Sequence, residues 1–371
     1  MPDILVADTT SAAEDQAAPL RQLSRLDRFL PVWIIAAMAI GLGIGRWWPE
    51  VARDLDRVKV ATVSVPIAVG LLVMMYPVLA KVRYAKLRHV GANRRLLVPS
   101  LILNWVVGPA VMFALAWLML PDLPAYRTGL IIVGLARCIA MVLIWNDLAC
   151  GDREAGALLV AINSVFQIVA YSALGWFYLN VLPGWLGLHQ QNFHVSVWRI
   201  TTMVLIFLGI PLVAGFLTRL VGERAKGEEW YENRFIPKIS PLALYGLLFT
   251  VVVLFALQGD AITHHPSDVA RIAAPLLVYF AVMWGASFAL GRRLHLPYPQ
   301  TATLAFTAAG NNFELAIAVA VGVFGATSGE ALAGVVGPLI EVPALISLVY
   351  VARLLRKRYY RAEPAAAIQS T

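Results

Sequence analysis

The chain has 371 residues, of which 60% are hydrophobic and 14% charged, with a formal net charge of +8. A soluble domain carries about 25% charged residues, so an ordinary soluble enzyme or binding module is excluded, and blocks of about 20 apolar residues point to membrane-spanning helices. Two cysteines argue against a disulfide framework. The basic residues flank the apolar runs, where they set topology and do not suggest nucleic acid.

Residues 1–28 are polar and mildly acidic up to Arg21, Arg25 and Arg28, and they read as a disordered cytoplasmic tail. Ten apolar runs follow, near 29–48, 60–80, 96–120, 128–149, 155–182, 197–220, 238–258, 269–291, 300–324 and 330–352. The first ends in GRWW without a small-residue cleavage site, so it is expected to stay as an anchor and not be removed as a signal peptide. With the N-terminus placed inside, the inner segments carry 22 Lys and Arg against 7 outside, and Arg137 alone lies within a span. The basic stretches at 81–89 and 353–361 supply much of that bias. Both termini are therefore expected in the cytoplasm.

Ten helices divide into a first repeat over 29–182 and a second over 197–352, joined by an extracytoplasmic linker at 183–196 and followed by a basic cytoplasmic tail at 353–371. Five is odd, so the second set must enter from the opposite side, which is the plan of an inverted repeat. The predicted fold class is thus an all-α polytopic membrane protein. The fourth and ninth runs are counterparts, and both carry interruptions. The fourth holds Arg137, Cys138, Asn146 and Asp147; the ninth holds Gly310, Asn311, Asn312 and Glu314. A matched pair of interrupted helices marks a midplane site. At 1.5 Å per residue, Cys138 and Glu314 lie roughly 15–20 Å into their runs, near the bilayer centre.

Ionisable groups at that depth cost about 2.5–3.5 kcal/mol on insertion scales and face the protein interior or water. Three qualify: Arg137, Glu314 and Glu341, the last between Pro338 and Pro343 where a kink is expected. One cation and two acids leave one acid over. Glu314 is expected to be that proton carrier, with Glu341 paired to Arg137. Asn311 stands three residues before Glu314 and shares its face on an unbroken helix, whereas Asn312 points elsewhere. Gly310 with two Asn favours a break whose freed groups serve a ligand, or else a close helix contact. Asn163, Gln167 and Asn146 are candidates to line the same cavity. A lone intramembrane Cys is usually a small hydrophobe, but Arg137 beside Cys138 favours the thiolate, a soft ligand. Cys150 is too far along a straight helix to chelate with it. All six His fall in or beside loops, and no stable metal site or cofactor is expected.

The blocks ARCIAMVLIWNDLACGDRE, INSVFQ, FTAAGNNFELAIAVAVGVFG and GPLIEVPALISLVYV resemble the arsenite efflux permeases of the arsenical-resistance-3 type, in the bile acid/arsenite/riboflavin transporter superfamily. The resemblance covers nearly all of residues 25–358. It implies an essential thiol at Cys138, which would take trivalent arsenic transiently, and an essential carboxylate at Glu314. It also implies a panel of helices 1, 2, 6 and 7, and a core in which broken helices 4 and 9 cross. The expected function is extrusion of arsenite, or antimonite, by proton antiport across a plasma or bacterial inner membrane, with arsenite and protons as the transported species. Arg137, Asn311 and Asn312 would join Cys138 in binding, and Glu314 and Glu341 would couple protons. The alternative is a sodium-coupled symporter of an organic anion. An intramembrane enzyme is disfavoured because no span holds a His and no GxGD occurs.

Overall fold

A computed structural model describes residues 29–48, 50, 54, 59–60, 63–83, 94–139, 141–188, 196–264 and 266–360. The 1–28 tail, residues 84–89 of the first basic stretch, 189–195 of the linker and 361–371 of the second tail lie outside the described residues. In chain order the elements are α1 (Leu30–Trp47), a minimal hairpin β1 (Lys59–Val60) and β2 (Val63–Ser64), then α2 (Val65–Ala80) and α3 (Arg94–Met119). Next come α4 (Pro124–Leu135), α5 (Met141–Leu148), α6 (Arg153–Trp185) and α7 (Val197–Lys226). A short turn at Glu228–Trp230 leads into α8 (Ile236–His264), followed by α9 (Pro266–Arg293), α10 (Tyr298–Ala309), α11 (Phe313–Phe324) and α12 (Gly329–Tyr359).

Among the described residues, six helical stretches are long and apolar enough to cross a membrane: α3, α6, α7, α9, α12 and the run Glu228–Leu257 that holds most of α8. The shortest has 26 residues, which at 1.5 Å per residue spans about 39 Å against a hydrocarbon layer of about 30 Å. Their outer faces carry large exposed apolar side chains, among them Leu118, Val169 and Leu354. Such surface is a liability in water and an ordinary contact in lipid. The protein is therefore a helical, multi-pass membrane protein.

Among the described residues, four π-turns interrupt these rods, at Leu103–Val107, Phe177–Val181, Leu205–Gly209 and Tyr231–Phe235. Each stands two residues before a proline: Pro109, Pro183, Pro211 and Pro237. A proline lacks its N–H and collides with the carbonyl four residues back. Widening the turn there relieves the collision without breaking the rod. By contrast α12 continues as one helix through Pro338 and Pro343.

Helices α1, α2, α7 and α8 pack as one group through small residues. A Cβ on Gly41 would stand 2.5 Å from the Val252 carbonyl, one on Gly246 would stand 2.8 Å from the Gly70 carbonyl, and one on Gly215 would stand 2.8 Å from the Ala80 nitrogen. Close backbone approach of this kind holds helices together where lipid gives no hydrophobic drive. At one end of the molecule, in the turn between α3 and α4, Asp122 pairs with Arg271 of α9 through two hydrogen bonds, one from Nη1 to Oδ2 at 2.8 Å. The Arg271 guanidinium holds the Asp122 carboxyl below the usual carboxylate range.

Candidate functional site

The extended residues between α4 and α5 lie antiparallel against those between α10 and α11, with Arg137 opposite Asn311. The Cys138 N–H donates to the Gly310 carbonyl at 3.2 Å, and the Asn312 N–H donates to the Ala136 carbonyl at 3.1 Å. A Cβ on Gly310 would come within 2.9 Å of the Cys138 Cβ, so the segments meet backbone to backbone. Each break thereby satisfies polar groups that the other exposes, as a backbone at membrane depth must.

The half-helix ends are closed by side chains. The last carbonyls of α4 lack their regular partner four residues on, though Val133 keeps the Ala136 N–H at 3.1 Å. Ile132 accepts from the Tyr171 hydroxyl at 2.9 Å, Val133 accepts from Asn311 Nδ2 at 2.8 Å, and Gly134 accepts from the Arg137 guanidinium. At the start of α11, Asn312 Oδ1 accepts the Leu315 N–H at 3.0 Å as an N-cap. Glu341 of α12 accepts the Asn311 N–H at 3.2 Å.

Below the crossing lies a cavity of about 10 Å³, room for about one water molecule. Cys138, Asn311, Asn312, Glu314 and Glu341 all line it, with Met75, Val78, Ile139 and Met141 as apolar walls. Asn311 Oδ1 and Asn312 Nδ2 are buried and have no hydrogen-bond partner. One acceptor and one donor are thus left unused at the site. A larger cavity of about 250 Å³ shares Val78, Ile139, Met141 and Glu314 with the small one. Its walls are mostly apolar, with Lys81 and Ser240 among the few polar ones. Glu314 is the single carboxylate common to both.

Five of the nine expected site residues therefore meet at one cavity, and four do not line it. Asn312 was expected to point away on an unbroken helix; the break turns it in beside Asn311. Arg137 was expected to pair with Glu341. Its guanidinium instead donates to the Gly134 carbonyl and, through Nη1, to the Tyr279 hydroxyl at 2.9 Å. The carbonyl end of a half-helix is itself an electronegative partner. Asn163 accepts from Trp105 Nε1 at 3.3 Å, and Gln167 Oε1 accepts the Arg137 N–H at 3.3 Å. Asn146 ties α5 to α10, donating to the Asp152 carbonyl at 3.1 Å and accepting from the Thr303 hydroxyl at 2.7 Å. These three amides hold the frame. Tyr171 and Tyr279 escaped the sequence reading, since a single Tyr in an apolar run carries no periodic or motif signal.

A family model described as Sodium Bile acid symporter family matches residues 68–265. The chain is 56% identical over 355 residues to the arsenical-resistance protein Acr3 of Corynebacterium glutamicum, covering 96% of each sequence. It is 35% identical over 350 residues to an uncharacterized transporter of Synechocystis, covering 89% of each. It is 30% identical over 340 residues to the arsenical-resistance protein Acr3 of Alkaliphilus metalliredigens, covering 89% of this chain and 93% of that one.

Proposed function

The chain belongs to the Sodium Bile acid symporter family, alongside Acr3 arsenical-resistance relatives, and on that premise we propose that it extrudes arsenite from the cytoplasm in exchange for protons. One observation carries the reading: a thiol, two carboxylates and two unpartnered amide atoms line a single cavity at the crossing of two broken helices. Neutral arsenite presents a thiophilic arsenic and three hydroxyls. Cys138 supplies the soft sulfur. Asn311 Oδ1 accepts from one hydroxyl and Asn312 Nδ2 donates to another. A single thiol suits a site that must also release its cargo.

Glu314 is the natural proton carrier, because it borders both the binding cavity and the larger vestibule. Glu341 holds the Asn311 amide and so links proton occupancy to a substrate ligand. The cavity is too small for arsenite as it stands, so loading requires movement of α2, which supplies Met75 and Val78, away from the crossing. The same motion fits alternating access, in which the glycine-packed group α1, α2, α7 and α8 rocks against the rest. We place ten spans in two inverted five-helix repeats in a plasma membrane, bacterial inner membrane by analogy, with both termini cytoplasmic.

Sodium-driven uptake of an organic anion is the reading that the family description itself favours. The site argues against it. Two carboxylates face the cavity and the neighbouring cation is turned away, an arrangement that disfavours an anionic cargo. Arsenite accumulation in everted membrane vesicles with an acidic interior separates the two. Wild type should accumulate arsenite until a protonophore is added. Cys138→Ser and Glu314→Gln should fail at normal abundance, and Cys150→Ser should not. Sodium-driven flux that survives Cys138→Ser would sink the arsenite reading.

A further inference from the structure

Arg137 is fully buried, yet it lines neither cavity and takes part in no ion pair among the described residues. A buried cation without a carboxylate is costly, so something else must offset it. The guanidinium donates to the Gly134 carbonyl and to the Tyr279 hydroxyl at 2.9 Å, while Nε has no partner. The negative end of the α4 dipole lies at those carbonyls. On the third side, α3 closes the slot. A Cβ on Gly108 would stand 2.6 Å from Arg137 Nη1 and 3.1 Å from the Tyr279 hydroxyl. Gln167 of α6 takes the Arg137 N–H. Residues from α3, α4, α6 and α9 therefore converge on this one residue.

Arg137 and Cys138 are consecutive in an extended segment, and consecutive side chains of such a segment point to opposite faces. We propose that Arg137 and Tyr279 form a positioning pair that anchors one face of the break and thereby aims Cys138 into the cavity, with Arg137 making no contact to substrate. This rests on the reading that Cys138 takes the arsenic. It assigns roles to Tyr279 and Gly108 that the cavity lining does not suggest. It also recasts Arg137, which adjacency in sequence made a binding residue, as an anchor.

The test uses the full chain in everted vesicles on a Cys150→Ser background, which leaves Cys138 as the sole thiol. Two quantities are read: the arsenite KM and maximal rate at matched abundance, and the rate at which a small methanethiosulfonate reagent modifies Cys138, with and without arsenite. Tyr279→Phe removes one oxygen from a well-packed ring. It should raise KM about tenfold by freeing a charged donor, change the modification rate by at least threefold, and leave the maximal rate within about twofold. Gly108→Ala, which crowds the guanidinium, should do the same. Tyr279→Phe with unchanged KM and modification rate, at normal abundance, overturns the proposal. So does a raised KM in Arg137→Lys that Tyr279→Phe does not share, since that pattern belongs to a substrate ligand. If wild type neither moves arsenite nor is protected by it, the transport reading fails, and the modification rates still judge the positioning pair.

Discussion

Replacing Asn311 by Asp is nearly isosteric, and its expected cost can be worked out from the crossing. Asn311 Nδ2 donates to the Val133 carbonyl at 2.8 Å. An aspartate presents an oxygen there. It loses a bond worth about 1 kcal/mol net and leaves two acceptors facing each other, for which about 1–3 kcal/mol more applies when a buried group is stranded. The Val133 carbonyl keeps the Ala136 N–H at 3.1 Å, so it is not fully orphaned and the lower end governs. About 2 kcal/mol, at 1.36 kcal/mol per tenfold, is roughly a thirtyfold loss of transport efficiency. The added carboxylate beside Glu341 acts in the same direction. The assay is initial-rate arsenite uptake in everted vesicles, with abundance matched by in-gel fluorescence of a tagged chain. Uptake by Asn311→Asp within threefold of wild type would refute the claim that this amide clamps the break.

Three further outcomes follow from the same geometry. Arsenate and phosphate should not compete with arsenite even in large excess, because both carboxylates face the cavity and Arg137 is turned from it; competition at equimolar anion would refute this. Asn146→Ala should lower unfolding free energy by roughly 2 kcal/mol, for two lost side-chain bonds, without raising the arsenite KM; steric-trap or denaturant unfolding reads the first and vesicle uptake the second. Asp122 has a depressed folded-state pKa, so its pairing with Arg271 stabilises above the ordinary carboxylate pKa of about 3.9 and is lost as pH falls through the lower folded value. Asp122→Asn should therefore melt slightly below wild type by the same interval from pH 8 to pH 5, with the interval closing only in stronger acid; a gap that closes near pH 6 would contradict the assignment.

The site was legible where chemistry conflicts with environment. Gly310, Asn311 and Asn312 inside an apolar run signalled a break, and so did the polar cluster after Leu135. Their meeting in space needed the structure, because periodicity describes one segment at a time. The error over Arg137 has a physical source. Counting charges assumes that a buried cation needs an acid, whereas the carbonyl end of a broken helix and a phenol oxygen can hold it. That alternative is invisible until the break is placed. Asn146 and Asn163 misled for a related reason: a buried amide looks the same in sequence whether it faces a cargo or ties two helices. The four described π-turns each precede a proline by two residues, but Pro241, Pro275, Pro338 and Pro343 lie inside helices without one, so proline alone does not locate them in the sequence.

The cavity under the crossing has room for about one water. A proton moves through protein along a continuous file of waters, and a single molecule between Glu314 and Glu341 is not a file. In this conformation the crossing thus offers protons no continuous water path. Under the proposed exchange of arsenite for protons, a proton would then cross only on a carboxylate that moves with the change of shape, and a transporter without cargo would not dissipate the gradient.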